Sequence, residues 1–195
     1  MSKGLIGTGV IAAIALLLVA TGVGSYNRLV ELDEGVNNAW SQVENVYQRR
    51  ADLIPNLVAT VKGAKDFEQE TLTQVVEARA KVGQVNFETA PDAQQLEAFE
   101  AAQSQLSSAL SRLLVVVERY PELKATEAFR DLQAQIEGTE NRITVERMRF
   151  NDATLAYNRT RRRFPTILLA KIMGFDDKPY FEATPGAEEP PKVEF

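Results

Sequence analysis

YNRLVELDEGVNNAWSQVENVYQRRADLIPNLVATVKG, residues Tyr26–Gly63, decides the fold. Its apolar residues fall at Leu29, Leu32, Val36, Trp40, Val43 and Tyr47, at intervals of three and four, which is one face of an α-helix. Pro55 then interrupts, and a second stripe follows at Leu57, Val61, Ala64, Leu72, Val75 and Val76, fading at Val82-Gly83. Two readings of Pro55 give different bundles. As a kink, it leaves one helix over 27–82 in a lopsided three-helix bundle. As a tight turn, it divides the region into 27–53 and 56–82, which match each other in length. The apolar phase carries across Pro55 and favours the kink. Matched lengths favour the turn, as an up-and-down bundle requires, and the turn is adopted.

Working outward, a third helix over 92–119 carries Leu96, Phe99, Gln103, Leu106, Leu110, Leu113, Val117 and Tyr120, a stripe with one polar member. Asp92 is its expected N-cap, after a loop over Gly83–Pro91. A fourth helix over 122–163 carries Phe129, Leu132, Ile136, Ile143, Phe150, Ala153 and Tyr157, with Gly138 as a soft spot. No segment of appreciable length alternates with period two, so no sheet is predicted. Ile54–Thr60 (IPNLVAT) and Tyr120–Thr126 (YPELKAT) share one pattern, and both lie where one stripe ends and another begins. They read as equivalent helix–helix turns, each with proline opening the second helix.

Upstream, Gly4–Asn27 contains no charge. A bilayer core needs about 20 apolar residues as a helix. Leu5 to Val23, with Ile11, Leu16, Leu17 and Leu18 at its centre, meets that length. A cleaved signal peptide is the competing reading, but the run is long for one, and the helical pattern begins at Tyr26 without a linker. A retained single-pass anchor is therefore expected. Lys3 and the amino terminus against Arg28 give a small bias toward a cytoplasmic N-terminus and an extracytoplasmic bundle. The predicted organisation is an anchor over 1–25, an all-α antiparallel up-and-down bundle of four long helices over 26–182, and a disordered Pro- and Glu-rich tail over 183–195.

Composition narrows the function. The 195-residue chain has 22 basic and 27 acidic residues, a net charge of −5, which argues against binding nucleic acid through bulk positive charge. It has no cysteine and no histidine. Thiolate metal sites, cysteine nucleophiles and acyl anchors, and histidine-based triads are thereby excluded. The acids Glu31, Glu34, Glu44, Glu118 and Glu122 mostly fall off the apolar stripes and read as surface charge rather than metal ligands. Ser104, Ser107, Ser108 and Ser111 read as helix-surface serines, with no lysine near in sequence. Trp40, on the stripe with Val36 and Val43, reads as core. No catalytic residue, cofactor, metal or small-molecule substrate is expected.

Long ordered motifs carry a family resemblance. They are the Tyr26–Gly63 stretch, EARA at Glu77–Ala80, YPELKA at Tyr120–Ala125, FNDATLAYN at Phe150–Asn158 and FPTILLA at Phe164–Ala170. The chain resembles the LemA family over about residues 5–181. The resemblance implies a bacterial protein with one N-terminal membrane helix and a helical bundle. It implies no established enzymatic activity and brings no catalytic residues. One member of that family is tied to building bacterial intracellular membrane compartments. Phe150 departs from the pattern, where tyrosine is expected.

Two features point to contacts. Asn27, Glu34, Asn38, Ser41, Asn45 and Gln48 form a polar stripe on the first helix, and Thr144, Arg147, Asn151, Thr154 and Asn158 form one on the fourth. Asparagine and threonine are poor helix formers, so their use suggests side-chain hydrogen bonds across helices or between subunits. The second feature is Arg159, Arg161, Arg162 and Arg163, followed by an apolar segment with Ile167, Leu168 and Lys171. The plain alternatives are compensation of a helix dipole and a short helix capping the core. In a four-helix up-and-down bundle, however, this segment returns to the membrane side, where cations and apolar groups meet headgroups. The expected partners are membrane lipid, further copies of the chain and other membrane proteins. The favoured reading is a scaffold in the bacterial inner membrane that self-assembles or organises membrane. The alternative is a non-catalytic adaptor of a membrane enzyme such as a quality-control protease.

Overall fold

The computed structural model describes residues 3–64, 67–85, 87 and 89–182. Its helices are α1 (Lys3–Lys62), α2 (Gln69–Val82), α3 (Ala93–Val117), α4 (Pro121–Lys124), α5 (Glu127–Arg161) and α6 (Thr166–Met173). No strand occurs among the described residues, and the fold class is all-α, with the long helices packed as a bundle. The expected disorder of 183–195 lies outside the described residues.

α1 is one continuous helix of 60 residues. Ser25, Tyr26, Asn27 and Arg28 are helical, so the apolar N-terminal run enters the bundle without a break. Leu5, Ile11, Leu16, Leu17, Leu18 and Val23 all lie on this helix. It is long and apolar enough to cross a membrane, with a window of mean hydropathy 2.0, none of it buried by the rest of the chain.

Pro55 lies inside α1, so the expected turn there is corrected to an uninterrupted helix that reverses only after Lys62. A proline within a helix has no N–H to give and crowds the carbonyl four residues earlier. That carbonyl belongs to Ala51, and Arg79 Nε of α2 donates to it at 2.9 Å. The backbone group that Pro55 leaves without its partner is thus satisfied from a neighbouring helix. Pro121 does open a helix, as the first residue of α4. The two proline sites are therefore not equivalent, and the expected internal repeat fails at its first copy.

The chain still makes four passes. α1 runs out from its apolar N-terminal part, and the short α2 doubles back along its distal half. α3 runs outward again, and α5 returns the full length beside α1. The N-terminus of α3 is fixed by a capping box: Asp92 Oδ1 accepts from Gln95 N at 2.8 Å, and Gln95 Oε1 accepts from Asp92 N at 3.0 Å. The expected fourth helix is divided in two. Thr126 starts α5, its hydroxyl accepting from Phe129 N at 3.3 Å. α6 ends at Gly174, whose φ of 75° is the left-handed conformation glycine adopts without cost. Phe175 N then donates to Ala170 O at 3.0 Å, and the chain turns back along α5 as an irregular strap over 175–182.

Two cores result. The distal one joins α1, α2 and α3 through Ile54, Leu57, Val61, Leu72, Val75, Leu106 and Leu113, with Phe129 from α5. Val76, expected in this stripe, is exposed. The proximal core is aromatic. Trp40 is fully buried and meets the rings of Phe99, Phe150 and Phe181 at centroid distances of 5.1, 5.7 and 6.2 Å. Such pairs are each worth about 0.5–1.5 kcal/mol beyond simple burial. Leu29, Val36, Val43 and Ala170 join this core next to the apolar N-terminal run.

Candidate functional site

Three members of the polar stripe of α5, Arg147, Asn151 and Asn158, contact the chain's own strap, whereas Thr144 bonds Glu140 O within the helix and the buried Thr154 hydroxyl has no partner among the described residues. Asn158 Nδ2 donates to Lys178 O at 2.8 Å, while its Oδ1 accepts from Lys178 N at 3.0 Å. Asn151 treats Phe181 the same way, at 3.0 and 2.9 Å. The seven residues from Asn151 to Asn158 advance about 10.5 Å along a helix. The three from Lys178 to Phe181 span about 10 Å when extended. The two amides therefore read an antiparallel backbone at matching pitch. Arg147 lies 4.6 Å over the Phe181 ring and donates to Glu182 O at 2.9 Å. It also pairs with Glu100 of α3 at 2.8 Å. Burial raises the Glu100 pKa, and Arg147 opposes that shift. Tyr157 donates to Asp176 O at 2.9 Å. Burial pushes its phenol up to about 12, and the carboxylate of Asp33 adds to the shift.

On α1 the expected residues are not the ones engaged. Asn38 and Asn45 are exposed. The neighbouring Asn37 makes the contact instead, its Oδ1 accepting from Ala90 N at 3.0 Å. Trp40 Nε1 donates to Phe87 O at 3.4 Å, and Glu44 accepts from Phe87 N at 3.4 Å, so the loop before α3 is also pinned to α1. Burial raises the Glu44 pKa, partly offset by that N–H.

Arg50 is the largest departure from the sequence reading. It is 1 % exposed and joins three helices. Nη2 donates to Gln103 Oε1 at 2.6 Å; Nη1 donates to Ser107 Oγ at 3.0 Å and to Glu140 Oε2 at 2.7 Å. The guanidinium lies 5.1 Å from the Tyr47 ring centroid, and Nε, buried, has no hydrogen-bond partner among the described residues. A signal existed: Arg50 falls on the apolar stripe between Tyr47 and Ile54, and Gln103 is the polar member of the third stripe. Two polar residues on two buried stripes form one cross-helix contact. Ser107 therefore is not a plain surface serine.

At the base, Arg161 donates to Phe175 O and pairs with Asp177 at 2.9 Å; Arg162 meets the same carboxylate at 3.2 Å. Arg159, Arg163 and Lys171 are exposed, Ile167 is half-buried and Leu168 is exposed. This group lies at the end of the bundle that continues into the apolar N-terminal run, because Phe175 packs edge-on against Tyr26 at 5.8 Å and Lys178 pairs with Asp33 at 3.0 Å. The clefts are open. One of about 520 Å³ is lined by Glu44, Asn45, Gln48, Phe87 and Gln103. In another, Lys81 lies with Ser104 and Ser108, but its amine is exposed and donates to Gln105 at 3.1 Å. No enclosed nucleophile–base pair is formed there.

The family model described as "LemA family" matches residues 39–195. The chain is 27% identical to "Magnetosome protein MamQ 2" of Paramagnetospirillum magneticum, over 93% of this chain and 71% of that protein. It is 25% identical to "Magnetosome protein MamQ" of Magnetospirillum gryphiswaldense, over 85% and 67%. It is 24% identical to "Protein LemA" of Metamycoplasma hominis, over 83% and 71%. With motifs and family model in agreement over most of its length, the chain belongs to the LemA family.

Proposed function

We propose that this protein is a non-catalytic helical scaffold, anchored in the bacterial inner membrane by the first part of α1, which self-assembles through its bundle. One observation carries the reading. The longest element of the fold is at once the exposed apolar run and the central helix of both cores, so the bundle is joined rigidly to its anchor. A flexible tether would suit a freely ranging enzyme. A continuous helix suits an element that fixes the bundle's distance and tilt at a surface. The similarity to proteins named as magnetosome proteins supports an organising role at a membrane. The open clefts and the absence of histidine and cysteine support a non-catalytic one. The bundle stands on the extracytoplasmic side in this reading.

Self-association is supported by faces the fold leaves uncovered. Asn38 and Asn45 are exposed along α1, while Val145, Met148 and Leu155 are exposed along one face of α5, with Asp152 between the last two. An anchor confines copies to two dimensions and raises their effective concentration. The test is gentle detergent extraction followed by native mass measurement. A large assembly of this chain alone is expected. Monomers in every mild detergent and in crosslinked native membranes contradict self-assembly. Stoichiometric co-purification of an enzyme replaces the scaffold with an adaptor.

A further inference from the structure

The base of the bundle presents an apolar surface outside the anchor. Phe164, Leu168, Ile172 and Met173 are 82, 56, 80 and 52 % exposed. Leu168 and Ile172 lie one helical turn apart on one face of α6, and Phe164 and Met173 flank them. The opposite face, Thr166 and Ala170, is buried in the fold. Exposure of the apolar side is therefore fixed by packing, since turning α6 over would unpack Ala170 from the proximal core. We propose that α6 and the preceding turn form a second membrane contact, a foot that inserts Phe164, Leu168, Ile172 and Met173 into the headgroup layer beside the anchor. The inference rests on the anchoring reading above.

Geometry places the foot at the required depth. The apolar run of α1 ends at Val23, and Tyr26 lies three residues further, about 4.5 Å along the helix. The headgroup layer is about 5–8 Å thick on each side of the hydrocarbon. The Tyr26 ring packs on Phe175, two residues beyond α6, and Leu29 shares the proximal core with Ala170. α6 therefore sits at the level of the headgroups.

Charge is matched to a lipid surface. Arg159, Arg162, Arg163 and Lys171 are exposed around the apolar face. The acids of this region are Asp176 and Asp177 with Glu31 and Asp33 of α1; Asp177 is already paired with Arg161 and Arg162, Asp33 with Lys178 and Glu31 with Arg28. An apolar helix face rimmed by cations is the arrangement that binds an anionic bilayer in its plane. The structure alters the expected membership. Arg161 is turned inward to Phe175 and Asp177, and Ile167 is half-buried, whereas Phe164 and Ile172 carry the most exposed apolar surface.

The chain's lack of cysteine allows clean single-site labelling. Full-length Leu168→Cys and Ile172→Cys variants, carrying a visible-range environment-sensitive dye, are reconstituted into phosphatidylcholine–phosphatidylglycerol vesicles. Leu17→Cys reports the anchor and Val115→Cys the distal end. Quenching is measured with spin-labelled lipids and with aqueous iodide. The foot predicts quenching at positions 168 and 172 by shallow lipid labels and protection from iodide. Arg163→Glu with Lys171→Glu, or added salt, should weaken that lipid quenching. Iodide access at 168 and 172 equal to that at 115, with 17 still quenched by deep lipid labels, overturns the foot and leaves the anchor standing. Protection from iodide without lipid quenching also overturns it, since a second chain then covers the face. Iodide access at 17 overturns the anchoring reading and the foot with it.

Discussion

Arg50 tests whether one buried cation sets the register of three helices. Its guanidinium holds Gln103 of α3 and Glu140 of α5 against α1, and a group so enclosed is costly to disturb. Replacing Arg50 by Met leaves the buried Gln103 amide without its donor, which should cost about 1–3 kcal/mol. Arg50→Met with Gln103→Leu removes both polar groups and should recover much of that loss. Denaturant melts of the two variants check this, and a double variant no more stable than the single one contradicts it. Tyr157 gives a pH prediction. Its phenol is pushed from 10 up to about 12, so the folded state keeps a proton the unfolded chain gives up. Its contribution is complete below pH 10 and is lost as pH rises from 10 to about 12. Burial also raises Tyr47, so alkaline destabilisation has more than one source. Tyr157→Phe should reduce the loss in this window without abolishing it, and should also speed amide exchange in the strap. An unchanged alkaline slope contradicts the assignment.

At the scale of elements, the pairing of Pro55 with Arg79 is open to a double-mutant cycle. Arg79→Met should cost about 1–2 kcal/mol while Pro55 is present, because Ala51 O then has no donor. In a Pro55→Ala background the restored N–H of residue 55 can reach that carbonyl, so the same replacement should cost less. Equal costs in the two backgrounds would show that Arg79 does not serve the proline. This pair also explains what could and could not be read from the sequence. The stripes at Leu29–Tyr47 and Leu96–Val117 were legible because burial of one helix face imposes its own repeat. The Asp92 cap was legible because its partner is three residues away. Pro55 was not, because its place inside a helix depends on a side chain 28 residues beyond Ala51. The asparagines of the α5 stripe suggest contacts across helices or between subunits, and the structure gives Asn151 and Asn158 the strap instead. That partner was hidden, because a strap that offers only backbone groups leaves no side-chain pattern. Asn37 rather than Asn38 makes the contact on α1 because one position of rotation separates a packed face from a solvated one, and only the fold decides between them.

For the whole molecule, the two cores divide the labour. The distal core is mostly aliphatic and is assembled from α1, α2 and α3, with Phe67 from the loop before α2, Leu123 from α4 and Phe129 from α5. The proximal core is aromatic and gathers α1, α5, α6, the strap and the start of α3 next to the apolar N-terminal run. The proximal core packs α6 and the strap directly against α1, which is what the scaffold reading asks of the base. Both the scaffold reading and the foot depend on α1 being retained whole and embedded. The direct test is intact-mass analysis of the protein in bacterial membranes washed with alkaline carbonate. The account predicts a carbonate-resistant protein whose mass includes the Leu5–Val23 segment. A carbonate-soluble protein, or one whose mature chain begins after Ala20, would contradict it.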